Sequence, residues 1–145
     1  MAAERRAQTT WEGDLASGSG TFTVGSGSIG PQEVSWNART EEPGGKTSPE
    51  ELLAAAHASC FSMALSGGLA RAGTPPRLLE TQAVVTFDRV GDGWKVVSSA
   101  LTVRGDVPDA DEEAFRAAAE NAKENCPVSQ ALKGNVELSV DAALK

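Results

Sequence analysis

The sequence predicts an α+β protein, and three observations favour this fold class. The strand-like segments occur in groups, in the order three strands, one helix, two strands, two helices and one strand, instead of alternating with helices. A segment from Glu51 to Ala72 is rich in Ala, Leu and Met and is apolar on nearly every side, as is typical of a helix buried on most faces. The chain has 145 residues, enough for one hydrophobic core, and neither a linker nor an internal repeat divides it. We therefore expect a single domain over residues 1–145, with residues 1–7 as a flexible tail.

Three short strands are predicted in the N-terminal part of the chain. The segments Gln8–Trp11 and Thr21–Val24 are rich in threonine and aromatic residues, and the Gly/Ser stretch Ser17–Gly20 between them is typical of a hairpin loop. A third strand is expected over Glu33–Asn37. The segment Glu41–Gly45 contains one proline and two glycines, so it interrupts regular structure.

The predicted long helix has a clear N-terminal signal. Ser48 is a suitable N-cap, and Glu51 three residues later completes a capping box. Pro49 would occupy the first helical position, where its missing N–H is not needed, and Glu50 lies in the first turn, where negative charge is favourable. Gly73 is expected to end the helix.

The second half of the chain predicts a hairpin and a final strand. The segments Leu79–Val90 and Trp94–Val103 have strand character and flank the turn signal Gly91-Asp-Gly93. The segment Asn135–Ala142 alternates between apolar and polar residues, as a half-buried strand does.

Two further helices are predicted between this hairpin and the final strand. Asp109 is expected to cap the first of them, with Glu112 three residues later. Its apolar stripe consists of Phe115, Ala118, Ala119 and Ala122. Pro127 prevents simple continuation, so a short separate helix is expected over Pro127–Lys133.

Composition and charge exclude several classes of function. The net charge is −7, which disfavours a nucleic-acid binder and a protein that docks on anionic membrane. No apolar run is expected to reach the roughly 20 residues of a membrane span. The first ten residues are polar and lack the apolar stretch of a secretory signal, so we expect a cytoplasmic protein.

The chain has two cysteines, Cys60 and Cys126, and a single histidine, His57. Two buried small hydrophobic side chains are one interpretation of the cysteines, since free cysteine is commonly buried. A zinc site formed by all three residues is conceivable, but a His-x-x-Cys pair in an Ala-rich helix is a weak signal. Helix packing explains His57 better, and we expect neither a metal nor a cofactor.

A reactive cysteine needs a nearby positive charge, because a free thiol has a pKa of about 8.5 and only the thiolate is nucleophilic. Cys60 is predicted in the middle of a helix, where the helix dipole offers little. Arg39 is a better source of charge than His57, because it is always protonated and its planar fork could also hold an oxygen atom of a substrate. Glu50 could orient that fork. The alternatives are a surface ion pair for Arg39 and a first-turn helix charge for Glu50.

Cys126 has a different setting, immediately before Pro127. If Pro127 is the first residue of the short helix, Cys126 lies at its N-terminus. That position stabilises a thiolate.

Three segments of the sequence resemble the OsmC/Ohr family. They are Trp36-Asn-Ala-Arg39, the segment Thr47 to Leu65 with the run Ala-His-Ala-Ser-Cys-Phe-Ser-Met, and Asn125-Cys-Pro-Val-Ser-Gln-Ala-Leu132. The first segment and the run around Cys60 are similar to the OsmC branch. The resemblance extends from about Trp11 to the C-terminus. Ala38 and Thr40 are small departures that leave Arg39 in place.

The resemblance implies an enzyme that reduces hydroperoxides, organic ones usually better than hydrogen peroxide. By position, Cys60 matches the peroxidatic cysteine and Cys126 the resolving cysteine. Arg39 matches the arginine beside the thiolate, and Glu50 matches the glutamate that pairs with it. The implied fold is an intertwined homodimer in which a long buried central helix packs on antiparallel sheets. In some members a lipoylated protein or a small dithiol is the reductant.

Helix geometry supports sites shared between two chains. Glu50 and Cys60 are ten residues apart on the predicted helix, which corresponds to about 15 Å along its axis at about 1.5 Å per residue. A side chain cannot span that distance, although the role implied by the resemblance puts Glu50 beside the arginine that serves the sulfur. Either the helix breaks between them or Glu50 serves Cys60 of a second chain, and the second option is favoured because nothing from Glu51 to Ser59 is a helix breaker. The alternative is a monomer whose strands cover the helix and in which Glu50 only stabilises the helix N-terminus.

Two alternatives to an enzyme remain. One is an OsmC-like protein that binds a hydrophobic ligand and does not use its thiols. The other is a redox sensor or thiol-disulfide exchanger with little turnover.

Overall fold

The computed structural model describes residues 1–145 and confirms the α+β class, with two three-stranded sheets and one long helix. The elements are β1 (Ala7–Glu12), β2 (Ser19–Val24), β3 (Gln32–Val34), α1 (Trp36–Thr40), α2 (Pro49–Arg71), β4 (Leu78–Val90), β5 (Gly93–Asp106), α3 (Glu112–Asn125), α4 (Pro127–Leu132) and β6 (Glu137–Leu144). The chain forms two compact units, Met1–Leu52 and Leu53–Lys145. A single domain over residues 1–145 stays a prediction, as does the flexible tail over residues 1–7.

The first unit contains the antiparallel sheet β1-β2-β3. Gly20 lies opposite Trp11, and a Cβ at this position would lie 2.8 Å from the Trp11 ring, so any larger residue would force the ring to move. The predicted strand over Glu33–Asn37 is wrong in its second half, since β3 ends at Val34. The reason is local: Ser35 is an N-cap whose hydroxyl accepts from the Ala38 N–H at 3.2 Å, so the chain turns into helix α1.

The long helix α2 begins at Pro49, as its N-terminal signal predicts. The Ser48 hydroxyl accepts a hydrogen bond from the Glu51 N–H at 3.1 Å. Only half of the capping box forms, because the Glu51 carboxylate accepts from the Thr47 hydroxyl at 2.7 Å. The helix ends at Arg71, one residue before the predicted end.

Helix α2 is more exposed within one chain than its composition predicts. Phe61, Leu65 and Leu69 are buried in the core of the second unit, whereas Met63 is 74% exposed. Its length and mean hydropathy of 1.4 are those of a membrane-crossing helix, and only 22% of its apolar window is buried. The expectation that no apolar run reaches this length is therefore wrong, although core helices of soluble proteins also reach this length and hydropathy.

The second unit contains the sheet β4-β5-β6. β4 and β5 form the predicted antiparallel hairpin, in which Gly91 adopts a φ of 62° that suits glycine. β6 pairs with β5 in parallel, so the prediction of purely antiparallel sheets is wrong. The reason is the long connection of residues 107–136, whose helices α3 and α4 provide the crossover that parallel strands need.

The helices of this crossover begin where side chains cap them. Asp111, not Asp109, is the N-cap of α3, and its carboxylate accepts from the Ala114 N–H at 2.8 Å. Of the predicted apolar stripe, Phe115, Ala119 and Ala122 are buried and Ala118 packs against the core. Cys126 ends α3 and also caps α4.

Candidate active site

The structure brings the two cysteines together in the second unit. Cys60 lies on α2 and is half-buried, and Cys126 lies between α3 and α4 and is fully buried. Cys126 and the backbone N–H of Val128, in the first turn of α4, both lie close enough to the Cys60 thiol to shift its pKa. Both cysteines are free thiols.

The surroundings of Cys60 favour its protonated form. Burial raises the pKa of the Cys60 thiol above its usual value, and the neighbouring Cys126 raises it further, whereas the Val128 N–H lowers it. No cationic side chain of the second unit contributes to this pKa. A nearby positive charge would favour the thiolate.

Cys126 is held at the start of α4, as its place before Pro127 predicts. Its sulfur accepts from the Ser129 N–H at 3.3 Å and donates to the Ser129 hydroxyl at 3.1 Å. Pro127 has no N–H to compete for this position. The Cys126 thiol is thus the N-cap of α4, a role that a side-chain oxygen usually fills.

Arg39 and Glu50 form a bidentate ion pair in the first unit. Arg39 Nε lies 3.0 and 3.1 Å from the two Glu50 carboxylate oxygens, and Nη2 lies 2.8 Å from Oε1. The Arg39 side chain is 30% exposed and that of Glu50 only 8%. This pair joins the last turn of α1 to the first turn of α2, and the Arg39 guanidinium also stacks 5.9 Å from the Trp36 ring centre.

A small apolar cavity of about 200 Å³ lies beside this ion pair in the first unit. Its lining consists of Trp11, Leu15, Val34, Ser35, Trp36, Arg39 and Pro49. A guanidinium at the wall of an apolar cavity can orient a ligand that carries both an oxygen and a hydrocarbon group.

His57 packs within the second unit and is hydrogen-bonded through both ring nitrogens. Nδ1 lies 2.6 Å from the Ser99 hydroxyl, and Nε2 lies 2.8 Å from the Ser129 hydroxyl. Burial lowers the pKa of His57, so the ring is neutral near pH 7. No group of three His, Cys, Asp or Glu side chains is arranged to hold a metal ion.

The sequence did not lead us to predict Ser99 and Ser129 as hydrogen-bond partners of His57. Ser129 had a usable signal, because it is the third residue after an N-cap and its N–H faces the capping side chain. Ser99 had none, since it lies 42 residues from His57 and only the fold brings them together.

Comparisons with known proteins agree on one family. A family model described as OsmC-like protein matches residues 42–141. Peroxiredoxin OsmC of Escherichia coli (strain K12) is 42% identical over 145 residues, which cover 100% of this chain and 99% of that protein. The crystal structure of organic hydroperoxide resistance protein OhrB of Bacillus subtilis superposes with a TM-score of 0.76 at 26% identity, covering 95% of this chain and 98% of that chain.

A further solved structure supports the fold alone. An organic hydroperoxide resistance protein from Elizabethkingia anophelis has a TM-score of 0.76 at 23% identity and covers 100% of both chains.

Proposed function

Because this chain belongs to the OsmC-like protein family, we propose that it is a cysteine-based peroxidase that reduces organic hydroperoxides, and hydrogen peroxide less well. The observation that carries the proposal is the proximity of the two free thiols Cys60 and Cys126. Two neighbouring free thiols can be oxidised to a disulfide when their backbones lie at a suitable distance. The matched relatives, a peroxiredoxin and organic hydroperoxide resistance proteins, support the same reaction.

The first step is attack of the Cys60 thiolate on a peroxide oxygen. The O–O bond breaks, Cys60 becomes a sulfenic acid, and the alkoxide takes a proton and leaves as an alcohol. The Val128 N–H stabilises the thiolate, but burial opposes its formation. Arg39 supplies the missing positive charge and steadies the leaving oxygen, and Glu50 holds the guanidinium in place through the bidentate pair.

The arginine that serves each Cys60 comes from a second chain in this proposal. Glu50 and Cys60 lie ten positions apart on the continuous helix α2, about 15 Å along its axis at about 1.5 Å per residue. The exposed apolar surface of α2, including Met63, supports a homodimer that would cover it. Two-fold symmetry then creates two identical sites.

The organic group of the substrate occupies the apolar cavity beside Arg39. Trp11, Leu15 and Trp36 provide surface for a hydrocarbon or aromatic group, which hydrogen peroxide lacks. This difference supports the preference for organic hydroperoxides.

The second step regenerates the enzyme. Cys126 attacks the Cys60 sulfenic acid to give a disulfide and water, and an external dithiol such as a lipoylated protein then reduces the disulfide by exchange. We place the reaction in the cytoplasm, where dithiol reductants are maintained.

A thiol-dependent peroxidase assay with cumene, tert-butyl and hydrogen peroxides tests the proposal. We expect turnover with all three, fastest with the organic peroxides, and none after Cys60→Ser, because no nucleophile remains. Cys126→Ser should reduce one equivalent of peroxide per chain and then hold a sulfenic acid. If Cys126→Ser instead blocks this single turnover, the roles of the two cysteines are reversed.

Two other results would replace the proposal. Thiols that are oxidised once by peroxide and are not turned over by any dithiol would indicate a redox sensor. Thiols that do not react with peroxide would indicate a ligand-binding protein.

A further inference from the structure

His57 is a buried ionisable residue for which the proposed reaction has no role so far. Its Nε2 lies 2.8 Å from the Ser129 hydroxyl, and that hydroxyl accepts a hydrogen bond from Cys126 Sγ at 3.1 Å. On the other side of the ring, Nδ1 lies 2.6 Å from the Ser99 hydroxyl. An unbroken path of hydrogen bonds therefore joins the imidazole to the sulfur of Cys126.

The direction of these hydrogen bonds assigns the tautomer of His57. When the Cys126 thiol donates to Ser129 Oγ, the hydroxyl proton of Ser129 is free to be donated to Nε2. Nδ1 then carries the ring proton and donates to Ser99 Oγ. In this state Nε2 is a basic nitrogen that faces Cys126 through one hydroxyl group.

The hydrogen-bonded groups around the ring are uncharged. They are the hydroxyls of Ser99 on β5 and Ser129 on α4, with the Cys126 thiol beyond Ser129 and the Cys60 thiol one turn further along α2. Burial is the cause of the lowered pKa of His57, and no charged side chain contributes to it. The ring is therefore available as a proton acceptor near pH 7.

Cys126 needs such an acceptor because its side chain is fully buried. It must lose its proton to attack a sulfenic acid, since the thiolate is the nucleophile. A buried thiol cannot pass that proton directly to bulk water. The Ser129 N–H, 3.3 Å from the sulfur, stabilises the resulting thiolate but cannot accept a proton.

We propose that His57, acting through the Ser129 hydroxyl, accepts the proton of Cys126 as Cys126 attacks the oxidised Cys60. His57 is thus a positioning residue of the disulfide-forming step, because it touches Ser129 and not the reacting sulfurs. The inference rests on the proposed function, since the electrophile is the Cys60 sulfenic acid.

The step balances without any external oxidant or reductant. The Cys126 proton moves to Ser129 Oγ while the Ser129 proton moves to His57 Nε2. The Cys126 sulfur forms a bond with the Cys60 sulfur, and the S–O bond of the sulfenic acid breaks to release hydroxide. The hydroxide gains one proton and the imidazolium releases one, so the products are one disulfide, one water and neutral His57.

Single-turnover kinetics of His57→Gln test the proposal, because glutamine keeps a polar side chain but is not a base. Sulfenic acid formation at Cys60 is followed by trapping with dimedone, and disulfide formation by rapid alkylation and mass measurement. We expect the peroxide step to stay within about twofold of wild type. The disulfide step should slow by roughly 10²-fold or more, which is the typical contribution of a general base.

Two serine variants separate the relay from simple packing. Ser129→Ala removes the connecting hydroxyl but keeps the backbone N–H on Cys126, and it should slow the disulfide step as much as His57→Gln does. The double variant should be no slower than the slower single variant, because both changes interrupt one path. Ser99→Ala is the matched control: it removes the hydroxyl on the far side of the ring, and we expect a loss below about tenfold.

The pH dependence gives a readout that packing alone would not change. In wild type the rate of the disulfide step should vary little near neutral pH, because His57 is already neutral. In His57→Gln it should rise about tenfold per pH unit, since hydroxide must then remove the proton.

Two results would overturn the inference: disulfide formation at the wild-type rate in either His57→Gln or Ser129→Ala, or equal slowing of both chemical steps. If His57→Gln does not fold, Ser129→Ala alone decides, because it removes a single hydroxyl. A wild-type protein whose Cys60 does not react with peroxide would refute the proposed function itself, which the sulfenic acid measurement detects separately.

Discussion

At the scale of single residues, the sequence indicated the candidate catalytic side chains but not all of their hydrogen-bond partners. Cys126 could be placed at a helix start because Pro127 follows it, and the bidentate contact of Arg39 with Glu50 could be anticipated from their side chains. The contacts of His57 could not, because Ser99 and Ser129 reach it from elements far away in the sequence. The catalytic roles of Arg39 and Glu50 stay predictions.

Arg39→Lys tests whether the guanidinium fork acts in the peroxide step. Lysine keeps the charge but cannot form the bidentate pair with Glu50, so a peroxide oxygen would lose its fixed donor. We expect the peroxide step to slow by roughly 10²–10³-fold, as measured by single-turnover consumption of cumene hydroperoxide.

Arg77→Lys is the matched control for this change. Arg77 forms an exposed ion pair with Asp106, so its replacement should leave the rate unchanged. Unimpaired kinetics in Arg39→Lys would return Arg39 to the role of a surface ion-pair residue.

At the scale of helices and strands, local signals predicted most elements, and tertiary pairing decided the rest. The N-cap at Ser48 and the turn at Gly91 were readable because they depend on neighbours in sequence. The parallel orientation of β6 could not be predicted from the sequence, because it depends on how residues 107–136 cross the sheet. Helix α1 was missed because five residues are too few for a helical period to emerge.

Gly105→Ala tests the packing of β5 against α3. A Cβ at this position would lie 2.6 Å from Phe115 Cζ and 2.7 Å from Cε1, and Phe115 is fully buried. The ring would have to move within a close-packed core, so we expect a loss of about 1–3 kcal/mol in the free energy of unfolding by urea.

Gly93→Ala is the control on the same strand. Nothing lies within 4 Å of a Cβ at Gly93, so its effect should stay within about 0.5 kcal/mol. Equal stability of the two variants would mean that α3 can shift away from the sheet at little cost.

At the scale of the whole molecule, the long apolar sequence of α2 predicted a helix buried on most faces. Within one chain only a small part of this helix is buried. Family membership and the α+β fold are established by the full-length relative and the solved structures. The proposed homodimer cannot be derived from the sequence of one chain, because in that proposal the surface covering α2 belongs to another copy.

Mixed dimers test whether each site combines two chains. Cys60→Ser and Glu50→Ala chains, each first shown to be inactive, are unfolded together in equal amounts and refolded. A mixed dimer would hold one site with both residues intact, so random pairing should restore about one quarter of the wild-type activity per chain.

Each variant refolded alone is the control for this experiment. Absence of recovery, in a sample where mass measurement confirms mixed dimers, would favour sites built within one chain.

The parallel pairing of β5 with β6 also bears on when the two cysteines come together during folding. The two strands are joined through the segment that carries Cys126, and pairs far apart in sequence form slowly because their loops must close first. Until that crossover docks, Cys60 and Cys126 are two separate thiols. An oxidant that meets an unfinished chain can then drive either sulfur to an irreversible acid, since no neighbouring thiol intercepts the sulfenic stage. In the proposed peroxidase, completion of folding is therefore the step that brings the two thiols into a reversible pair.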